Sequence, residues 1–216
     1  MDQKIRKELI TLAEKHLAEF TPRDVLIIQA IHTIDELIII TNKLVTALRE
    51  RYGYYASKTS KIEDINSLIR EIKKQKREPA GIQFKKQDFD SINEIILSIE
   101  NLGVIKISQE FYLENLMKEQ CPEFLKITGV LVGARLISLA NSIKHLAELP
   151  SSTIQILGSE KALFRHLKTG SNPPRFGVIF AHPDIQKARE ENKARTARKL
   201  ASKISIAVKR DYFSKK

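Results

Sequence analysis

The residues in this sequence that could do chemistry are overwhelmingly cations. At 3.6 residues per helical turn, Arg195, Arg198, Lys199, Lys203, Lys209 and Arg210 gather on one side of a final helix. Ala197, Leu200, Ala201, Ile204, Ala207 and Val208 gather on the other, and the basic side is read as carrying no acids. Surface helices ordinarily mix signs because Glu–Lys pairs stabilise them; a face of one sign repels itself until a polyanion relieves it. Lys161, Arg165 and Lys168 lie on a separate segment, SEKALFRHLK, followed by Arg175, and Lys193 lies on the last helix. Ordered Lys and Arg neutralise phosphates. A plain solvated amphipathic helix is the alternative. A lipid-surface helix would want Trp, Phe or Leu in bulk where this one has alanine.

Catalytic and metal-binding patterns are missing. Gly129-Val-Leu-Val-Gly133 lacks the third glycine and the preceding strand of a phosphate-binding loop. His16, His32, His145, His166 and His182 show no zinc spacing with one another or with Cys121. Cys121 beside Pro122 reads as a small buried hydrophobe, and no Ser/His/Asp order is recognisable. The expectation is a binding protein, with no enzyme activity, metal or cofactor.

The elements that hold these cations divide by charge. Residues 1–128 contain 20 Lys+Arg and 20 Asp+Glu; residues 129–216 contain 17 and 6, so the net +11 lies wholly in the second part. A neutral scaffold joined to a polyanion-binding module follows. With 42% hydrophobic and 29% charged residues in 216, a real core is expected. The longest apolar runs, such as Leu37 to Ile40, fall far short of the roughly 20 residues of a membrane span, and MDQKIRKELI is no secretion signal. The lone Cys121 fits a reducing compartment, so a cytoplasmic protein is expected.

Residues 1–128 read as helix almost throughout. Thr21-Pro22 suggests an N-cap with proline in the first turn, and Asp24 suits that turn. A heptad seam follows: Ile27, Ile34, Thr41 and Leu48 in one register, Ile31, Ile38 and Val45 in the other. The expectation is an antiparallel coiled coil that pairs two copies through Ile27, Ile31, Ile34, Ile38, Val45 and Leu48; an ordinary helical bundle is the alternative. The first helix ends at Tyr52-Gly53-Tyr54-Tyr55. Ile62, Ile65, Ile69 and Ile72 predict a second, stopping before KKQKRE and a turn at Pro79-Ala80-Gly81. Phe89, Ile92, Ile96 and Ile99 predict a short helix ending near Gly103, and residues 108–120 a returning one.

Residues 129–216 predict a compact helical domain. One helix carries Leu131, Arg135, Leu136, Leu139 and Ala140, and Pro150-Ser151-Ser152-Thr153 caps a short segment. A helix lies between Gly158 and Gly170, FGVIF (176–180) is the one strand candidate, and His182-Pro183 turns the chain into a last helix from about Asp184 to Lys209. The fold expected is all-α.

Several strings resemble the Nop-domain family, the core proteins of box C/D small ribonucleoproteins, and its archaeal members most closely. LPSSTIQILGSEKALFRHLKTGSNPPRFGVIFAHPDI is similar to the family signature, with GVLVGARLISLA before it and KARTARKLASKISIAVKRDYFS after it. RDVLIIQAIHTIDELIIITNKLVTALRERYGYYA is similar to the start of the family's coiled coil. The resemblance spans residues 21–216, least distinctively at 58–107. It implies a coiled-coil dimer over 1–128 and a Nop domain over 129–216 that binds box C/D guide RNA. That domain would read a kink-turn together with a kink-turn-binding ribosomal-type protein, in a particle guiding 2′-O-methylation and rRNA processing. The motif positions are Gly158, Ser159, Glu160, Ala162, Leu163 and Phe164, with Lys161, Arg165, Lys168, Arg175, Lys193, Arg195, Arg198, Lys199 and Lys203 facing RNA. Glu160 would orient Lys161 or cap its helix. Phe164 would either pack or stack, and a buried core residue is the reading preferred.

The family's amino-terminal α/β domain, which docks the methyltransferase fibrillarin, has no counterpart before residue 21, so the chain is expected to be a fragment or a short paralogue. Fibrillarin would be a partner only where that domain is present. A splicing-type Nop factor and a protein-only helical scaffold are the competing readings.

Overall fold

A computed structural model of the protein describes residues 3–20 and 22–214. Thr21, expected as a cap, lies outside the described residues. Twelve α-helices and one 3₁₀ turn make up the described chain, with no strand among the described residues. The helices divide between two compact units, Met1–Ile31 with Tyr112–Lys216, and His32–Phe111.

The second unit is built on residues 32–53 of the long helix α2 (Asp24–Gly53) and 86–111 of the long helix α5 (Lys86–Gln120), joined through α3 (Ser57–Ser60) and α4 (Ile65–Lys73). Within it α2 and α5 are antiparallel. Arg51 donates to Ser91 Oγ at 2.7 Å, while Ile38 and Ile107 line one groove farther along. The expected break near Gly103 is absent: α5 runs on for 35 residues. One helical glycine costs only about 1 kcal/mol, which Ile92, Ile96 and Ile99 on the buried side outweigh. These three pack with Val45, Leu48, Tyr52, Leu68, Ile69 and Ile72 into one core. α4 starts at Asp64, whose carboxylate accepts from Ser67 N at 2.8 Å.

The turn at 79–81 closes onto residues 54–55. Ile82 N donates to Tyr54 O at 2.8 Å and Tyr55 OH to Gln75 O at 2.7 Å, while the Tyr55 ring lies 4.9 Å from Phe84 and 5.2 Å from Phe89. Gly81 is obligatory there, since a Cβ would come 1.9 Å from Tyr55 O.

The first unit contains α1 (Gln3–Phe20) and, after α5, α6 (Pro122–Thr128), α7 (Val130–Ala140), α8 (Ile143–Glu148), α9 (Ser151–Ile156) and α10 (Glu160–Thr169). The 3₁₀ turn Val178–Ala181, α11 (Pro183–Gln186) and α12 (Glu190–Phe213) complete it. α12 packs against α6, α8, α9 and α11, burying Ala197, Leu200, Ala201, Ile204, Ala207 and Val208. Small alanines there let neighbouring helices approach.

Two buried acids fasten helix starts from afar in sequence. Asp211 accepts from Phe124 N at 2.7 Å and Glu123 N at 3.2 Å; Asp24 accepts from Ile143 N at 2.9 Å. Each carboxylate meets the positive end of another helix. Asp184 N donates to His182 Nδ1, which leaves Nε2 carrying the proton and donating to Ile127 O at 2.9 Å.

Two further expectations fail in the first unit. FGVIF is not a strand: with no ladder partner, Gly177 N and Val178 N donate instead to Gln155 O and Leu157 O, and the chain then curls into the 3₁₀ turn. The last helix is not continuous from Asp184, because residues 187–189 interrupt it. On an unbroken helix Ile185 would point about 100° away from the buried face of α12; the break lets Ile185 bury completely as well.

Candidate nucleic-acid interface

The basic side of α12 is built by its apolar side. Once Ala197, Leu200 and Ile204 face inward, Arg195, Arg198, Lys199 and Lys203 must point away, and all four are exposed. None has an ion-pair partner among the described residues. Glu191 departs from the expected acid-free face. It sits exposed in the first turn on the same side, where a carboxylate complements the helix dipole.

Lys193 behaves differently. It pairs with Glu190, lies 5.5 Å over the Phe180 ring, and its side chain is only 15% exposed. Phe180 stacks on Phe176, with centroids 5.4 Å apart. Of the cations expected to meet phosphate, Lys193 is therefore the one already neutralised, and Phe180 is a neighbour that sequence spacing did not disclose.

α10 carries Lys161, Arg165 and Lys168, all exposed and unpaired among the described residues. Gly158 (φ +88°) permits the sharp turn before it; a Cβ there would meet Val178 Cγ2 at 2.7 Å. Glu160 does not orient Lys161: its exposed side chain folds back so that the carboxylate accepts from Gly158 N at 2.8 Å and ties down that turn. Ser159 Oγ donates to Ile156 O, and Gly170 in the left-handed region ends the helix. His166 Nδ1 contacts Ser171 O. Ala162 and Leu163 are half-buried.

Phe164 is not a core residue. It is 68% exposed, beside Leu167 at 71%, and α10 has no fully buried side chain. A helix that packs this little leaves its apolar residues outside whatever their type. Arg175 is exposed, with its carbonyl held by Gln155 Nε2 at 2.9 Å. The α10 and α12 groups share one unit but no hydrogen bond or ion pair joins them among the described residues.

Of the seam residues, Ile27, Ile31, Ile34, Val45 and Leu48 are buried within the chain and Ile38 is half-buried. No group of three His, Cys, Asp or Glu able to hold a metal occurs among the described residues, and no described helix is long and apolar enough to cross a membrane.

A family model described as "Nop: snoRNA binding domain, fibrillarin" matches residues 9–216. The chain belongs to the Nop family. Among curated relatives of this Nop chain, an uncharacterised NOP5 family protein of Methanocaldococcus jannaschii is 38% identical over 181 residues, covering 84% of the chain and 43% of that protein. Nucleolar protein 58 of Neurospora crassa is 32% identical, covering 91% and 38%; nucleolar protein 56 of Mus musculus is 34% identical, covering 88% and 38%. The Nop chain thus spans about two fifths of these relatives. A solved fibrillarin/Nop5p complex includes a chain of the same fold, with TM-score 0.60 and 23% identity over 99% of this chain and 71% of that one.

Proposed function

We propose that this chain is an RNA-binding scaffold subunit of a box C/D guide ribonucleoprotein that directs 2′-O-methylation, acting in the cytoplasm without catalysis of its own. The observation that carries the reading is the solvent face of α12, where four cations stand unpaired in a chain matched by a snoRNA-binding family. Cations so placed neutralise phosphates and set register but read few bases. Specificity then comes from a kink-turn's shape and from a kink-turn-binding protein sharing the surface. On this reading 129–216 is the RNA-binding part and 1–128 the dimerisation region, and fibrillarin is a partner only where an amino-terminal docking domain accompanies them.

The dimer needs a surface other than the seam, which the chain's own fold occupies. Leu97, Val104, Ile107 and Phe111 offer one. Each is 58–67% exposed, and they recur along one side of α5.

The test is a gel shift with a kink-turn RNA, with and without the kink-turn-binding protein. Weak binding to RNA alone and much tighter binding to the complex is expected; equal affinity for both would sink composite recognition. Arg198→Ala with Lys199→Ala should lower the salt slope by about 0.7–0.9 for each phosphate no longer neutralised.

A further inference from the structure

The neutrality of residues 1–128 conceals a second sorting of charge. Residues 57–87 hold nine Lys and Arg but only four Asp and Glu, and the rest of 1–128 holds 11 and 16. The structure then occupies most of the acids. Glu71 pairs with Lys74 at 2.5 Å, Asp64 caps α4 through Ser67 N, and Glu78 accepts from Lys58 N at 2.7 Å. Just beyond, Asp88 accepts from Lys85 N at 2.7 Å. Only Glu63 keeps a carboxylate without a partner in this segment.

The cations are treated in the opposite way. Lys73 pairs with Glu100 and Lys74 with Glu71, and Arg70 donates to Ser67 Oγ at 3.0 Å. Lys58, Lys61, Lys76, Arg77, Lys85 and Lys86 are exposed and have no ion-pair partner among the described residues. They are not on a loose tail. The bonds from Glu78 N to Tyr55 O and from Ile82 N to Tyr54 O, with the Tyr55–Phe84–Phe89 cluster, bring 54–58, 76–78 and 82–86 into one end of the unit. Gly81 permits that closure and nothing larger would.

We infer that this end of the second unit is a further polyanion-binding surface, taking the ribose-phosphate backbone of RNA through Lys58, Lys61, Lys76, Arg77, Lys85 and Lys86. The inference rests on the reading of the chain as an RNA-binding scaffold. With nine cations against four acids over 57–87, and only one of those acids paired with a cation, this folded surface keeps a net positive charge that a phosphate chain relieves. Five of the six are lysines, point charges without the planar fork that reads a base edge, which suits a backbone interaction indifferent to sequence. An acidic protein segment would meet the charge, but phosphates at regular spacing suit cations spread over three segments better than one acidic peptide does.

The experiment follows fluorescence anisotropy of a labelled box C/D guide RNA against the full chain through a salt series. The variant Lys76→Ala, Arg77→Ala, Lys85→Ala, Lys86→Ala should lower the slope of log affinity against log salt by about 3, at just under one per phosphate released. Lys73→Ala with Lys74→Ala, whose cations are already paired, should leave the slope unchanged. Lys76→Arg with Lys85→Arg should bind as the intact chain does. If thermal melting shows the quadruple variant unfolded, Lys58→Ala with Lys61→Ala replaces it, with a slope reduction of about 1.5 expected. An unchanged slope in a folded variant overturns the proposal while leaving the α12 interface standing, and so does polyglutamate competing as well as RNA does. Failure of the intact chain to bind the RNA at low salt overturns the RNA reading itself.

Discussion

Asp211 should be the most costly single polar residue to remove from the first unit. Its carboxylate is buried, and it accepts from Phe124 N at 2.7 Å and Glu123 N at 3.2 Å, the two leading amides of α6 after Pro122. The shorter bond, charge-assisted and out of water, is worth about 2 kcal/mol and the longer about 1 kcal/mol. Asp211→Ala should therefore lose about 3 kcal/mol, which for a chain of this size lowers Tm by about 6–12 °C. Asp211→Asn keeps one acceptor and turns an NH₂ group toward the second amide, so it should lose about half as much or slightly more. Urea unfolding followed by helical circular dichroism measures both. A loss below about 1 kcal/mol for the alanine variant would mean that α6 starts without this carboxylate and that the reasoning is wrong.

Tyr52→Phe should be neutral or mildly stabilising, by up to about 1 kcal/mol in urea unfolding, because the buried hydroxyl has no hydrogen-bond partner. Burial also pushes the Tyr52 phenol up to about 12. A raised value contributes stability that is complete below the unfolded value near 10 and lost as pH climbs through 12, so the phenylalanine variant should lack that part of the alkaline loss. Gly81→Ala, with its Cβ 1.9 Å from Tyr55 O, should cost about 2–3 kcal/mol and flatten the near-ultraviolet signal of the Tyr55 cluster. Ile34→Asp should unfold the chain by burying a charge, whereas Val104→Asp with Ile107→Asp should leave it folded and reduce the self-associated mass in light scattering; the reverse pattern would return the dimer interface to the seam.

The helical class, the carboxyl end of α2 at Gly53, the ends of α10 and the inner face of α12 are legible in the sequence because each rests on local periodicity or on a glycine at a cap. Ala197, Leu200 and Ile204 fix a direction, and the cations opposite them follow. What eludes sequence reasoning depends on partners distant in the chain. FGVIF has the apolar content of a strand, but whether a strand forms depends on a second strand that the described fold lacks. Gly103 reads as a stop until Ile92, Ile96 and Ile99 are seen to share a core with Leu48 and Leu68. Phe164 illustrates the limit most directly. Side-chain type predicts burial only for a helix that has something to lie against. Lys193 is half legible: Glu190, which neutralises it, stands three residues earlier at helical spacing, but Phe180, which covers it, lies 13 residues away along the chain, beyond any helical spacing.

α10 is held at its two ends and hardly anywhere between: Glu160 on Gly158 N, Gly170 at the close, His166 against Ser171 O, and no fully buried side chain in ten residues. Amide protons in such a segment exchange by local opening, since freeing it costs far less than unfolding the helices around α12. Its exchange should accordingly run ahead of α12's and stay insensitive to substitutions in the core. Whatever covers Phe164 and Leu167 would then be registered as slowed exchange confined to α10, a signature that identifies the covered helix even where the overall melting temperature does not move.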